Sequence, residues 1–146
     1  MSDDVACIPE LRITLPARRD SLALLRHVVR GFRDAYGIAP ATMDDIVLAV
    51  SEAATNVVVH AYGETAGTMM LVARVADGRL HVLVRDHGCG IVAPADQPVL
   101  GHGLALMTHV AASFEIVGSP AGTDVVMAFD LASECDRSPL SDLDAA

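Results

Sequence analysis

The 146-residue sequence predicts one α+β domain, and three observations point to it. Apolar residues recur at helical spacing in Asp20 to Arg33, through Leu22, Leu25, Val29 and Phe32, and again from Asp44 to Gly63. Runs of strand-like residues come in pairs joined by turn signals: Thr68 to Val75 and Arg79 to Arg85 flank Ala76-Asp77-Gly78, and Phe114 to Val117 and Asp124 to Leu131 flank Gly118 to Thr123. A hydrophobic content of 52% is enough to fill one core at this length, and no internal repeat divides the chain.

The elements follow in order. Leu11 to Leu15 alternates apolar and polar residues as a half-buried strand does, and Pro16 ends it. A helix then runs from about Ala17 to Tyr36 and is closed by Gly37, the residue best suited to a left-handed cap. For the next helix Thr42 is the expected N-cap, with Asp44 and Asp45 in the first turn where the helix dipole favours acid, and Gly63 closes it. Asp77-Gly78 marks a tight hairpin. Leu80 to Arg85 reads as a buried strand ending at Asp86. His102 to about Ala112 has a helical pattern, with Leu104, Met107, Val110 and Ala111 on its apolar face. Residues 1–10 are expected to be an N-terminal extension of a domain spanning 11–131. Ala132 to Ala146, rich in Ser, Asp and Pro, is expected to be a disordered acidic tail.

Charge and composition narrow the function. The net charge of −9 and pI of about 4.8 oppose direct binding to nucleic acid, whose affinity rests on cations that displace counterions. The chain has no Lys, which excludes a Walker-type phosphate loop. No run reaches the length of a membrane span and the Met1-Ser2-Asp3-Asp4 start is acidic, so a cytoplasmic protein is expected. Cys7, Cys89 and Cys135 are odd in number and widely spaced, as reduced thiols are, and His87 with Cys89 alone does not make a zinc site. Most of the arginines lie between Arg12 and Arg33 or between Arg74 and Arg85, either as a solvated surface or as a face for an acidic partner.

Three short patterns carry chemistry. In DDIVLAVSEAATNVVVHAYG, Glu52, Asn56 and His60 stand four residues apart and share one face of an otherwise apolar helix, opposite Ile46, Val47, Val50, Ala53, Val57 and Val58. A carboxylate beside a neutral amide suits magnesium-phosphate chemistry. Mg²⁺ takes hard oxygen ligands and keeps several waters, so one Asn carbonyl plus substrate phosphates suffices and Glu52 is left as a base. The second pattern, Asp86-His87-Gly88-Cys89-Gly90, follows a strand, where glycine lets the backbone approach a flat ring. The Asp86 carboxylate, an acceptor only, favours adenine's exocyclic amino group over the oxygen that guanine carries there. The third, Gly101-His102-Gly103-Leu104, opens a helix whose unpaired N–H groups and dipole hold phosphates.

ExxxN on a helix, DxGxG after a strand, GxG before a helix, and Gly122-Thr123 before the last strand together resemble the GHKL ATPase superfamily, which includes gyrase, histidine kinases and mismatch-repair ATPases. Within it, SEAATNVVVHAYG is similar to the small anti-sigma factor serine/threonine kinases. The resemblance spans roughly Arg12 to Leu131 and implies a Bergerat fold, a two-layer α/β sandwich with helices on one face of a mixed, mostly antiparallel sheet. It implies ATP and Mg²⁺, with Glu52 as catalytic base, Asn56 as the Mg²⁺ ligand and Asp86 as the adenine reader. Gly88 and Gly90 then shape the adenine floor, Gly101, His102, Gly103 and Leu104 face the phosphates, and Thr123 supports the adenine contact. Ile91 to Leu100, with Pro94 and Pro98, becomes a short lid. The partners implied are a sigma factor, which such kinases sequester, and a STAS-domain anti-sigma antagonist, which they phosphorylate; homodimers are common among similar proteins. At this length a stand-alone regulator that acts by meeting another protein is expected.

One departure matters. Kinases of this type often carry an Arg at or just before the second glycine pair, whereas Pro98-Val99-Leu100 and His102 stand here. A protonated His102 would supply that charge only in part at neutral pH, given a reference pKa of about 6.5. Weaker neutralisation of the transition state keeps a second reading open, a non-catalytic, nucleotide-gated binding module.

Overall fold

The computed structural model describes residues 10–88 and 110–131. Within them, two helices lie on one face of a five-stranded sheet. The strands are β1 (Glu10–Pro16), β2 (Thr68–Ala76), β3 (Arg79–Asp86), β4 (Ser113–Ser119) and β5 (Gly122–Asp130); the helices are α1 (Arg19–Tyr36) and α2 (Pro40–Asn56). The sheet order is β1-β2-β3-β5-β4, and every described pairing is antiparallel, so the expected admixture of parallel strands is not found among the described residues. Two of these pairs, β2-β3 and β4-β5, are hairpins, whose short connections permit only antiparallel pairing.

The β2-β3 hairpin follows from its turn. Asp77 and Gly78 both have positive φ, 55° and 71°, the combination a two-residue turn needs to match the strands' twist. The amide of Leu131 donates to the Gly78 carbonyl at 3.0 Å, tying the end of the last strand to this turn.

α1 buries Ser21, Leu25 and Val29, a four-residue repeat, and rests Leu22, Val28 and Phe32 against the core. Gly37 closes it in the left-handed region (φ 63°) as expected, and the amides of Gly37 and Ile38 both reach the Arg33 carbonyl. α2 differs from expectation at its start. Ala39 is the N-cap and Pro40 the first helical residue, so Thr42 lies inside the helix and Asp44 and Asp45 fall outside its first turn. Proline outcompetes the threonine because its φ is preset for a helix and the N–H it lacks is one that would have no helical partner. Asp44 instead faces Arg30 of α1 at 3.4 Å.

α2 passes into one π-helical turn, Val57–Ala61, before Tyr62 and then Gly63 (φ 59°) end the helical segment. The core lies between the layers. Leu25 and Val29 of α1 and Ile46, Val50 and Ala53 of α2 pack on Met69, Leu71, Leu80, Val82, Val84, Met127 and Phe129 of the sheet. Full burial of such a larger side chain is worth about 1.5–3 kcal/mol. No described helix is long and apolar enough to cross a membrane.

Candidate functional site

The predicted site residues that the structure describes gather at one end of the central strands and the adjoining end of α2. Asp86 is the last residue of β3 and Thr123 the second of β5, and the two are direct partners across the antiparallel ladder. Opposed residues share a sheet face, and both are buried, each with 6% of its surface exposed. Met69 of β2 flanks Asp86 on the other side and closes that neighbourhood with apolar surface. A carboxylate and a hydroxyl thus stand side by side among apolar neighbours, the kind of sparse polar pair that orients a flat heterocycle.

Beyond Asp86 the chain is fixed from three directions. The Gly88 amide donates to Asp86 Oδ1 at 2.9 Å, which turns the backbone over its own carboxylate. A Cβ at Gly88 would collide with the backbone of Ala61, lying 2.6 Å from its carbonyl carbon, so only glycine lets this loop rest on the end of the helix. Gly122 approaches from β5 with φ 142°, and a Cβ there would come within 2.9 Å of His87 Cα and of the Asp86 carbonyl carbon. The Tyr62 hydroxyl completes the arrangement: it accepts the His87 N–H at 2.8 Å and donates to the Thr68 carbonyl at the start of β2.

Glu52 and Asn56 lie one turn apart on α2 and are both half-buried. Their α-helical spacing is as expected, but from Val57 the i→i+5 turn rephases the helix, and His60 is exposed. Asn56 stands about one turn, and Glu52 about two turns, before Ala61, on which the loop after Asp86 rests. Among the described residues no group of three His, Cys, Asp or Glu could cage a metal ion. One amide oxygen near a half-buried carboxylate does fit a Mg²⁺ that arrives on phosphates and keeps part of its water shell.

The opposite sheet face carries Arg85 and Asp124, a bidentate pair with both bonds at 2.7 Å. Hydrogen bonding to Arg85 holds the Asp124 carboxyl below its ordinary range, helped by the charges of Arg85 and His87 and opposed by partial desolvation.

Gly90, Gly101, His102, Gly103 and Leu104 lie outside the described residues, as do the lid from Ile91 to Leu100, the three cysteines and the expected tail. Of the helix expected from His102 to about Ala112, only Val110 to Ala112 are described, and of these Val110 alone is helical. Sequence reasoning missed Tyr62 and Gly122 as parts of the site. Both stood in patterns already noted, the HAYG that ends the motif helix and the glycine pair before β5, but neither pattern shows what touches what.

A helical layer on an antiparallel sheet, with a buried acid ending the central strand and a carboxylate-amide turn on the adjoining helix, defines a nucleotide-binding domain of the histidine kinase type. Residues 15–129 match the family described as histidine kinase-like ATPase domain, and the chain belongs to that family. It is 34% identical over 79 residues to the serine-protein kinase RsbW of Bacillus mycoides, an alignment covering 54% of this chain and 49% of that one. The same share aligns at 33% identity with RsbW of Bacillus thuringiensis. The chain therefore spans about half the length of the curated relatives it matches. Among solved structures, the RsbU and RsbW domains of Rv1364c from Mycobacterium tuberculosis share the fold with a TM-score of 0.69 at 27% identity, over 84% of this chain and 32% of that one. The histidine kinase domain of the Erythrobacter litoralis EL346 blue-light activated histidine kinase aligns with a TM-score of 0.58 at 26% identity, over 77% of this chain and 60% of that one.

Proposed function

We propose that this chain is a cytoplasmic, ATP-binding protein serine/threonine kinase of the anti-sigma factor type, which sequesters a sigma factor and phosphorylates a STAS-domain antagonist. The observation that carries the reading is the order of groups from the end of the central strands back along the helical segment. The buried Asp86-Thr123 pair adjoins the loop that rests on Ala61 at the end of the helical segment, Asn56 follows about one turn back and Glu52 about two turns back. That is the sequence in which an adenine nucleotide presents its base, its metal-bearing phosphates and its terminal phosphate.

In this reading Asp86 accepts the adenine amino group while Thr123 supports the ring from the neighbouring strand. Asn56 holds Mg²⁺, which when bound offsets the charge of the phosphates. A serine or threonine hydroxyl of the antagonist gives its proton to Glu52 as its oxygen bonds to the γ-phosphorus. The bond from that phosphorus to the ADP oxygen breaks, and ADP leaves with the electron pair. Gly101 to Leu104 are assigned to the phosphates by their motif.

A second reading rests on Pro98-Val99-Leu100, which leaves the second glycine pair without an arginine before it. Without that charge the same pocket acts as a nucleotide-gated clamp that grips a partner and transfers nothing. One experiment separates the two. Tagged chain is used to capture partners from the source cells, and the complexes are incubated with γ-labelled Mg-ATP. The kinase reading expects label on Ser or Thr of a STAS-domain protein, and a drop of about 100-fold or more in Glu52→Ala, the scale of general-base catalysis. Unchanged transfer by Glu52→Ala removes it as the base, and ATP-dependent capture without label establishes the clamp.

A further inference from the structure

The hydroxyl of Tyr62 joins three elements that the nucleotide reading needs held together, and that reading does not use it. Tyr62 follows the π-helical turn, its ring packs beside the core and against the backbone of Gly67, and its hydroxyl donates to the Thr68 carbonyl where β2 begins. The same oxygen accepts the amide of His87, the residue immediately after Asp86. No other described hydrogen bond reaches the His87 amide. An amide at a strand's end, past the last ladder partner, otherwise looks to water.

The neighbouring contacts constrain the loop in other directions. Gly88 rests on Ala61, Gly122 presses on the Asp86 carbonyl, and the Gly88 amide bonds Asp86 Oδ1. Glycine contacts set how closely the backbone approaches, but a hydrogen bond sets the orientation of a peptide plane. The plane between Asp86 and His87 is one of the two that flank the Asp86 Cα, so a turn of that plane shifts the Cα and the side chain it carries.

We infer that Tyr62 is a positioning residue for adenine recognition: its hydroxyl fixes the Asp86-His87 peptide, and through it the bearing of the Asp86 carboxylate on the base. Tyr62 touches no reacting atom in this role. The inference rests on the proposed nucleotide reading, and it separates Tyr62 from a residue that only stabilises the fold. A merely structural tyrosine would alter stability and leave the ratio of ATP to GTP affinity alone, whereas a positioning one changes that ratio.

Tyr62→Phe keeps the ring and removes only the oxygen, which makes it the variant of choice. Two measurements are made on the full chain. Amide hydrogen exchange should quicken at His87 by about 3- to 10-fold, the scale of one net hydrogen bond, while Val84 inside β3 keeps its protection. Titration with Mg-ATP and Mg-GTP should show ATP affinity falling by about 3- to 10-fold and GTP affinity falling less, so that the preference for adenine narrows. Faster exchange at His87 with an unchanged ATP-to-GTP ratio overturns the positioning role and leaves Tyr62 a structural pin. Unchanged exchange overturns the pin itself. If wild type binds neither nucleotide, the nucleotide reading fails and takes this role with it, whatever exchange shows at His87.

Discussion

Gly122→Ala tests whether the end of β5 and the loop after Asp86 pack as described. Two costs add. The φ of 142° belongs to a region that side chains rarely adopt, at a strain of about 1–3 kcal/mol. The new Cβ would also lie 2.9 Å from His87 Cα and from the Asp86 carbonyl carbon and would overlap the Asp86 oxygen. Those atoms are backbone at and just past the end of a paired strand, so relief requires moving the strand end, at about 1–3 kcal/mol for overpacking. The sum is about 2–6 kcal/mol, a large part of the 5–15 kcal/mol that holds a typical domain together. Loss of 3 kcal/mol lowers the melting temperature by about 10 °C at this size. Circular dichroism melts and urea titrations read the loss. Gly31→Ala serves as the control, because Gly31 lies within α1 with no atom within 4 Å of its added Cβ and should gain about 0.5–1 kcal/mol. A loss below about 0.5 kcal/mol in Gly122→Ala would refute the packing argument.

Asp86→Asn turns a pure acceptor into a group that also donates, so the preference for ATP over GTP should shrink by about 10-fold or more, read by nucleotide competition; an unchanged preference removes Asp86 as the adenine reader. The Arg85-Asp124 pair makes a pH-dependent contribution of known sign. Asp124 titrates below its unfolded value of about 3.9 because Arg85 hydrogen-bonds the charged form, so the pair's contribution is present above that pH and disappears as pH falls through the folded value. With the two side chains 38% and 29% exposed, solvent screening holds it to about 1 kcal/mol or less. Urea midpoints from pH 5 down to 2.5 should converge for wild type and Asp124→Asn, and parallel curves would contradict the linkage.

Much of the fold was legible because local chemistry and tertiary packing agree. Helical period placed α1, Asp77-Gly78 has the positive φ pair its identity demands, and Gly37 closes its helix in the left-handed region. Where two local signals competed, the weaker was mistaken for the stronger: Thr42 is a good cap, but Pro40 two residues earlier starts the helix first. The candidate site was legible as a set of residue types. Asp86, Thr123, Glu52 and Asn56 announce themselves by residue type and motif, and the ladder brings Asp86 and Thr123 side by side. The contacts that hold them were not legible. The reach of Tyr62 to His87, 25 positions away, and the pressing of Gly122 on Asp86 depend on how separate elements meet. The π-helical turn at Val57–Ala61 was hidden for another reason: i→i+5 bonding leaves no residue signature in a run of valines.

The proposed function requires this end of the sheet to receive an adenine nucleotide with its magnesium. Calorimetric titration of the full chain with ATP, with and without Mg²⁺ and against GTP, tests it most directly. One saturable site is expected, tighter for ATP than for GTP and tighter with Mg²⁺ than without. Equal affinity for the two bases, or no binding of ATP at millimolar concentration, would contradict it.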